Sequence, residues 1–307
     1  MRPLEDVRRY ELKQVAGLRY SLEQADAAIE KAIAFVQARK VGEISYGRKS
    51  GGCVITHPNF RERWLKVKWE LAGKLDRTVW DGELLSIGIE GVSKPRIFGH
   101  FDWDAIGLCY RALTMSIASG ILATEGHHLD CMPALDARWW QQLADAVATI
   151  GAKVTDRVCV DERVMALQLE QRFGIRLKRP FPHWQTAHGD LHWANLTAPE
   201  LSILDWETWG RAPYGFDVAH LYLFSVTQAE ALANLKQVFS PILENPAYDL
   251  TLLYAAADLI RQFESRGKHE AIQEGLHREV ETVLERRPRG AILIDRGYAA
   301  RRAVRRG

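Results

Sequence analysis

The sequence predicts an α+β chain in two parts: a small, mostly antiparallel sheet preceded by a helix over residues 1–115, and a mostly helical part over 116–307. Three observations lead there. Residues 43–69 hold short apolar or alternating stretches whose connections are too short for a parallel crossover. From Ser116 onward apolar residues recur mainly at helical spacing. Between two short apolar runs in that second part lies a polar loop, "HGDLHWANL" (188–196), followed shortly by "LDWE" (204–207).

The first element starts at Ser21, where Ser21 and Gln24 have capping-box spacing. Leu22, Ala25, Ile29, Ala32, Ile33 and Val36 then repeat as one helical face, which predicts a helix over 22–38. "EISY" (43–46) and "CVIT" (53–56) read as strands joined by "GRKSGG" (47–52), and "RWLKVKW" (63–69) alternates like a third strand after the turn "HPNFRE". "DGELLSIGIEG" (81–91) has the pattern of a short amphipathic helix, while "PRIFGHFDW" (95–103) and "IGLCYRALTM" (106–115) make two further strands. Beyond Ser116, 136–152 and 161–175 are helices, each opened by an Asp suited to capping. "WQTAH" (184–188) and "LSILDW" (201–206) read as short strands flanking the polar loop, and four more helical stretches follow Gly215. No internal repeat or low-complexity linker interrupts the chain.

Bulk properties bound the function. With 47% apolar and 26% charged residues, a core of ordinary size is expected and large-scale disorder is not. A formal net charge of +2 gives no electrostatic case for nucleic acid, so a nucleic-acid partner is disfavoured. The stretch from Arg286 carries eight arginines and one acid, which reads as a solvated terminus. Cys53, Cys109, Cys131 and Cys159 form no CxxC pair, a usage that fits a reducing cytoplasm. The charged start "MRPLEDVRRYELKQ" lacks the apolar stretch of a signal peptide, and no run is long enough to span a membrane. His127, His128 and Cys131 lack a fourth ligand and read as a loop rather than a metal centre. Trp139, Trp140, Trp206 and Trp209 are read as packing residues.

The chemistry lies in the polar loop. Asp190 and Asn195 are placed on it, and Asp205 ends the following apolar run. If the flanking strands pair, the three side chains meet at one sheet edge. An amide oxygen and a carboxylate make a hard oxygen environment suited to Mg²⁺, which takes one or two carboxylates together with substrate phosphates. Asp190 is then left to accept the proton of an attacking hydroxyl. Asp-x4-Asn followed by a metal-binding Asp is the working order of a kinase catalytic loop.

"HGDLHWANL…LDWE" resembles the aminoglycoside phosphotransferase family, small-molecule kinases that share the protein-kinase fold. The resemblance spans roughly residues 41–225 and implies a two-lobed protein-kinase-like fold, with a small antiparallel-sheet N-lobe and a mostly helical C-lobe. It implies Asp190 as catalytic base, Asn195 and Asp205 as Mg²⁺ ligands, His188 as a stabiliser of the loop, and Asp217 in "GFDVAH" as the loop's structural partner. On the sheet it implies a lysine for the α- and β-phosphates. Lys66 is favoured by the family pattern, Lys68 is the fallback on the same strand face, and Glu83 is the natural partner. "GRKSGG" lies where a phosphate-covering loop belongs, with Gly47, Ser50, Gly51 and Gly52 as its contacts, although a plain hairpin turn explains these glycines equally. Thr114, Met115 and Ser116 fall where a hinge would meet a purine.

The expected activity is transfer of a γ-phosphoryl group from ATP or GTP, with Mg²⁺, to a hydroxyl of a small molecule. By resemblance the acceptor is an antibiotic such as an aminoglycoside or basic peptide, which would make the protein an antibiotic-resistance enzyme. Glu207 and Glu170 are the acids available for a cationic acceptor. Two alternatives remain open: a metabolite kinase acting on choline, homoserine, a sugar or a fructosamine-type adduct, and a nucleotide-binding module without transfer. Oligomeric state is not legible.

Overall fold

The computed structural model describes residues 22–129, 131–266, 270–286 and 291–293. The Ser21 cap, the charged start and most of the arginine-rich tail lie outside the described residues. The chain forms two compact units, one comprising the chain through Trp80 with Pro95–Ile117, the other Asp81–Lys94 with everything from Ala118. The division expected at 115 is therefore interrupted: a fourteen-residue excursion, 81–94, belongs to the second unit.

The first unit is a five-stranded antiparallel sheet in the order β1-β2-β3-β5-β4. Its strands are β1 Arg39–Tyr46, β2 Ser50–His57, β3 Phe60–Leu71, β4 Ile97–Ala105 and β5 Leu108–Met115. The expected helix runs Leu22–Phe35 and lays Ala25, Ile29, Ala32 and Ile33 on the face made by Cys53, Ile55, Leu65, Val67 and Trp69. Period two along β3 sends Lys66 and Lys68 to the opposite face. There Lys68 is only 4% exposed and lies 5.0 Å from the Trp80 ring centroid. Its cross-strand neighbour Arg111 donates to both oxygens of Asp102, each at 2.7 Å, and to Trp80 O. Trp80 thus presents its ring to two cations, so Lys68 is part of the packing and the half-buried Lys66 is the more reachable cation on that face.

The segment expected as a phosphate loop is a tight turn. Gly47 N donates to Ser50 O at 2.8 Å, and Lys49 pairs with Glu70. Ser50, Gly51 and Gly52 already lie in β2, opposite Lys68, Val67 and Lys66. Close packing explains the glycines: a Cβ on Gly51 would lie 2.8 Å from Ile29 Cδ1, and one on Gly52 would lie 2.6 Å from Leu65 O. Thr114 lies within β5 and Met115 ends it, both laddered to β3 on one side and β4 on the other. Ser116 N donates to Arg96 O at 2.8 Å, and its hydroxyl accepts from Arg96 N at 2.9 Å. Backbone groups at these three residues are largely committed within the unit.

The second unit is built on helices. Ala137–Ala152 is capped by Asp136, which accepts from Trp139 N at 2.8 Å. Glu162–Phe173 is capped by Asp161 and ends at Gly174 with φ 66°. Phe216–Leu223 is buried throughout and packs on the long helix Tyr248–Arg266. Trp139, Trp140, Trp206 and Trp209 are all buried, as packing requires. The expected pairing of 184–188 with 201–206 does not form. The strand Trp184–Ala187 pairs instead with the strand Gly210–Pro213. Residues 201–206 are an irregular segment, buried at 201–203 and at Trp206 and exposed at Asp205, whose Ile203 N donates to Ser93 O at 2.8 Å. Among the described residues no helix is long and apolar enough to cross a membrane.

Gly52→Ala should force Leu65 or Trp64 to shift and cost about 1–3 kcal/mol, the usual range for overpacking. Urea unfolding should show a lower midpoint at unchanged slope; an unaltered midpoint would refute the packing role.

Candidate active site

The loop after the strand Trp184–Ala187 is set by one carboxylate. Asp217, in the first turn of Phe216–Leu223, accepts from His188 N at 2.7 Å and Gly189 N at 2.9 Å. Burial pushes its carboxyl above the usual range, against the pull of His188 and these two amides. The His188 ring, fully buried, meets Leu204 O at 2.9 Å through Nε2 and lies edge-on to Trp206. One end of the loop is thereby tied to the segment that carries Asp205. The other end is tied as well, since Leu204 N donates to Asn195 O at 2.9 Å. His188 and Asp217 hold the loop in the manner the sequence suggests.

Within this frame Asp190 keeps its side chain 46% exposed while Asn195 is buried. Asn195 Nδ2 donates to Asp190 O at 2.8 Å and lies 3.3 Å from His192 Nε2. The amide oxygen is the remaining polar atom of Asn195, the one a metal would take. His192 Nε2 is 3.6 Å from Asp190 Oδ2. Burial opposes the charged form of Asp190, but the neighbouring His192 outweighs it and holds the carboxyl well below the usual range. His188 and His220 add little at neutral pH, because burial lowers the pKa of both and leaves them uncharged. His127 stacks on His192 at 4.1 Å, and Phe224 meets both rings edge-on.

Asp205 adopts φ 61°, a left-handed backbone that is uncommon outside glycine. Its carboxylate lies with those of Glu83 and Glu207, each offering an oxygen within 4.8 Å of the others. Glu83, on the single-turn helix Gly82–Leu85, is only 5% exposed. Carboxylates this close repel unless a cation or a proton joins them. The donor set is all oxygen and fits Mg²⁺. The resemblance implies Glu83 as the partner of a strand lysine; its carboxylate is a buried member of this cluster. Glu207, suggested for a cationic acceptor, belongs here too, whereas Glu170 pairs with Arg176 on the surface at 2.7 Å. Two contributors escaped the sequence reading: His192, and Glu207 as a partner of Asp205. Both have a usable signal. Each lies two residues from a singled-out Asp, the spacing that returns an extended chain to the same side.

No protein-family model matches the sequence, and no curated protein matches it. Solved structures do resemble the chain. An amicoumacin kinase, hAmiN, in complex with AMP-PNP, Ca²⁺ and Ami aligns at TM-score 0.54 and 13% identity, covering 87% of this chain and 97% of that one. A thermostable mutant (D198A) of the aminoglycoside phosphotransferase APH(4)-Ia, in complex with ADP and hygromycin B, aligns at TM-score 0.57 and 10% identity, covering 84% and 98%. A fructosamine-3-kinase homologue from Haemophilus somnus 129PT aligns at TM-score 0.53 and 11% identity, covering 85% and 99%. The fold is the protein-kinase-like fold of small-molecule kinases, as the resemblance in the loop implies.

The buried histidines give the fold a pH dependence. His188 and His220 have folded-state pKa values below the unfolded value near 6.5, so the unfolded chain binds more protons as pH falls. Their contribution is fully present above about pH 6.5 and is lost below it, by up to ~1.4 kcal/mol per group per pH unit, until the folded-state groups also protonate. Urea titrations at pH 7.5 and 5.5 should show this loss. His220→Gln should reduce it, because among the described residues neither His220 nitrogen has a hydrogen-bond partner; an equal loss in this variant would clear His220 of the effect.

Proposed function

We propose that this protein is a small-molecule kinase that moves the γ-phosphoryl group of ATP or GTP to a hydroxyl of a small acceptor. The observation that carries this is the loop geometry: a half-exposed carboxylate, Asp190, kept ionised beside an amide ligand, Asn195, whose Nδ2 is fixed to the backbone of Asp190 itself. Asp190 orients the acceptor hydroxyl and receives its proton. A carboxylate held this acidic is a weak base, so it acts mainly by positioning until the oxygen–phosphorus bond has formed. Asn195 and Asp205 would hold Mg²⁺, with Glu83 and Glu207 beside Asp205. Bound there, the ion would neutralise phosphate charge and align the γ-phosphoryl group. Lys66 is the proposed phosphate lysine. Positioning and electrostatic stabilisation would supply most of the acceleration.

The acceptor is proposed as a small hydroxyl-bearing molecule. Aminoglycosides and basic peptide antibiotics come first in the test panel because two structural neighbours are an amicoumacin kinase and a hygromycin B complex. Fructosamine-type adducts follow, on the third neighbour, and choline, homoserine and simple sugars complete the panel.

Mg-ATP consumption by the purified protein across that panel is the deciding assay. Asp190→Ala should lower turnover by roughly 10²–10⁴-fold while leaving nucleotide binding in place; equal turnover in the variant would remove Asp190 from the chemistry. Asp205→Ala should instead weaken Mg²⁺-dependent nucleotide binding, read by calorimetry, and full affinity in that variant would end its assignment as a ligand.

A further inference from the structure

The excursion 81–94 is fastened to the second unit at several points. Near its end, Ile203 N donates to Ser93 O, Ser93 Oγ lies 3.2 Å from Ser202 Oγ, and Lys94 sits 5.2 Å from the Trp206 ring centroid. In the middle, Lys153 Nζ donates to Gly88 O at 2.8 Å. At its start the fastening reaches the acidic cluster itself. Trp209 Nε1 donates to Gly82 O at 2.8 Å, one residue before Glu83. Arg157 donates through Nε to Trp209 O at 3.0 Å and through Nη2 to Glu207 O at 3.2 Å, with its guanidinium 4.7 Å from the Trp209 ring centroid. No side chain fits at Gly82: a Cβ there would lie 1.9 Å from Glu207 O and 2.8 Å from Arg157 Nη2.

Three stretches of chain therefore meet at one guanidinium: the loop carrying Arg157, the segment 205–210, and the single-turn helix bearing Glu83. A four-residue helix makes too few internal hydrogen bonds to fix its own direction. The aim of the Glu83 carboxylate relative to those of Asp205 and Glu207 is set by what holds Gly82 and Glu207. We propose that Arg157 and Trp209 are a positioning pair for the divalent-cation site, fixing the backbones of Glu207 and Gly82 so that Glu83 and Glu207 face Asp205. This rests on the kinase reading above. The pair acts on the metal ligands through their backbones. Arginine suits the task because its planar fork reaches two carbonyls while its face lies on an indole, which a lysine cannot do.

The test measures metal-dependent nucleotide binding and needs no acceptor. ADP affinity is determined by calorimetry in EDTA and across a Mg²⁺ titration, for wild type, Arg157→Gln, Trp209→Phe and the double variant. Trp209→Phe keeps the aromatic packing and removes only the donor to Gly82 O. Each single variant should raise the Mg²⁺ concentration for half-maximal effect by ~10-fold, as loss of groups that orient metal ligands does, with ADP affinity in EDTA unchanged. The double variant should shift less than the product of the two, because both act through one clamp. Arg157→Lys should recover only part of the loss. A wild type whose ADP affinity is indifferent to Mg²⁺ would overturn the kinase reading and the clamp with it. A metal-dependent wild type whose variants need no more Mg²⁺, or lose ADP affinity equally in EDTA, would overturn the clamp alone.

Discussion

The second unit depends on one buried carboxylate accepting two consecutive backbone amides. Asp217 takes the N–H groups of His188 and Gly189. Each of those amides would otherwise be a costly unpaired donor in the interior. Through them the first turn of the helix Phe216–Leu223 decides where Asp190 begins. The rest of the loop is then closed by bonds of its own: His188 to Leu204 O, Leu204 N to Asn195 O, and Asn195 Nδ2 to Asp190 O. These bonds couple the loop to the segment leading into Asp205, so the candidate base and the candidate metal ligands share one framework. Asp190 keeps its side chain 46% exposed and Asp205 is exposed as well, whereas Asn195 and Glu83 are buried.

The sheet unit follows a simpler logic. Its helix and the apolar face of β2, β3 and β5 form a core of their own. The opposite face gathers cations, and the unit handles them unequally. Arg111 is neutralised by Asp102 and shares the Trp80 ring with Lys68. Lys66, two residues earlier on the same strand, stays partly open to solvent. Identical residue types at period two thus divide into one that packs and one that remains reachable.

Elements with strong local periodicity were legible in the sequence. The five strands, the helix Leu22–Phe35 and the Asp-capped helices Ala137–Ala152 and Glu162–Phe173 follow from spacing and capping alone. The loop was legible because its chemistry is ordered along the chain. Misreadings arose where distant residues decide. "LSILDW" looks like a strand, but its apolar residues are buried without a ladder and Ile203 N bonds Ser93, far upstream. Gly51 and Gly52 read as part of the connection before a strand, yet they lie within β2, where Ile29 and Leu65 leave no room for a Cβ. Composition cannot separate those two uses of glycine. Glu83 and Glu207 gain meaning only once the excursion 81–94 lies beside the segment 205–210.

That excursion bears on how the protein is made. The chain leaves the sheet unit after Trp80, supplies 81–94 to the other unit, and returns at Pro95 to complete the sheet with β4 and β5. The groups that receive it, Ile203 and Trp209, are synthesised more than a hundred residues later. During translation the sheet can close as soon as β5 emerges, with the Glu83 segment looped out and its polar groups left to water. The acidic cluster, by contrast, cannot assemble before Glu207 and Trp209 have been synthesised.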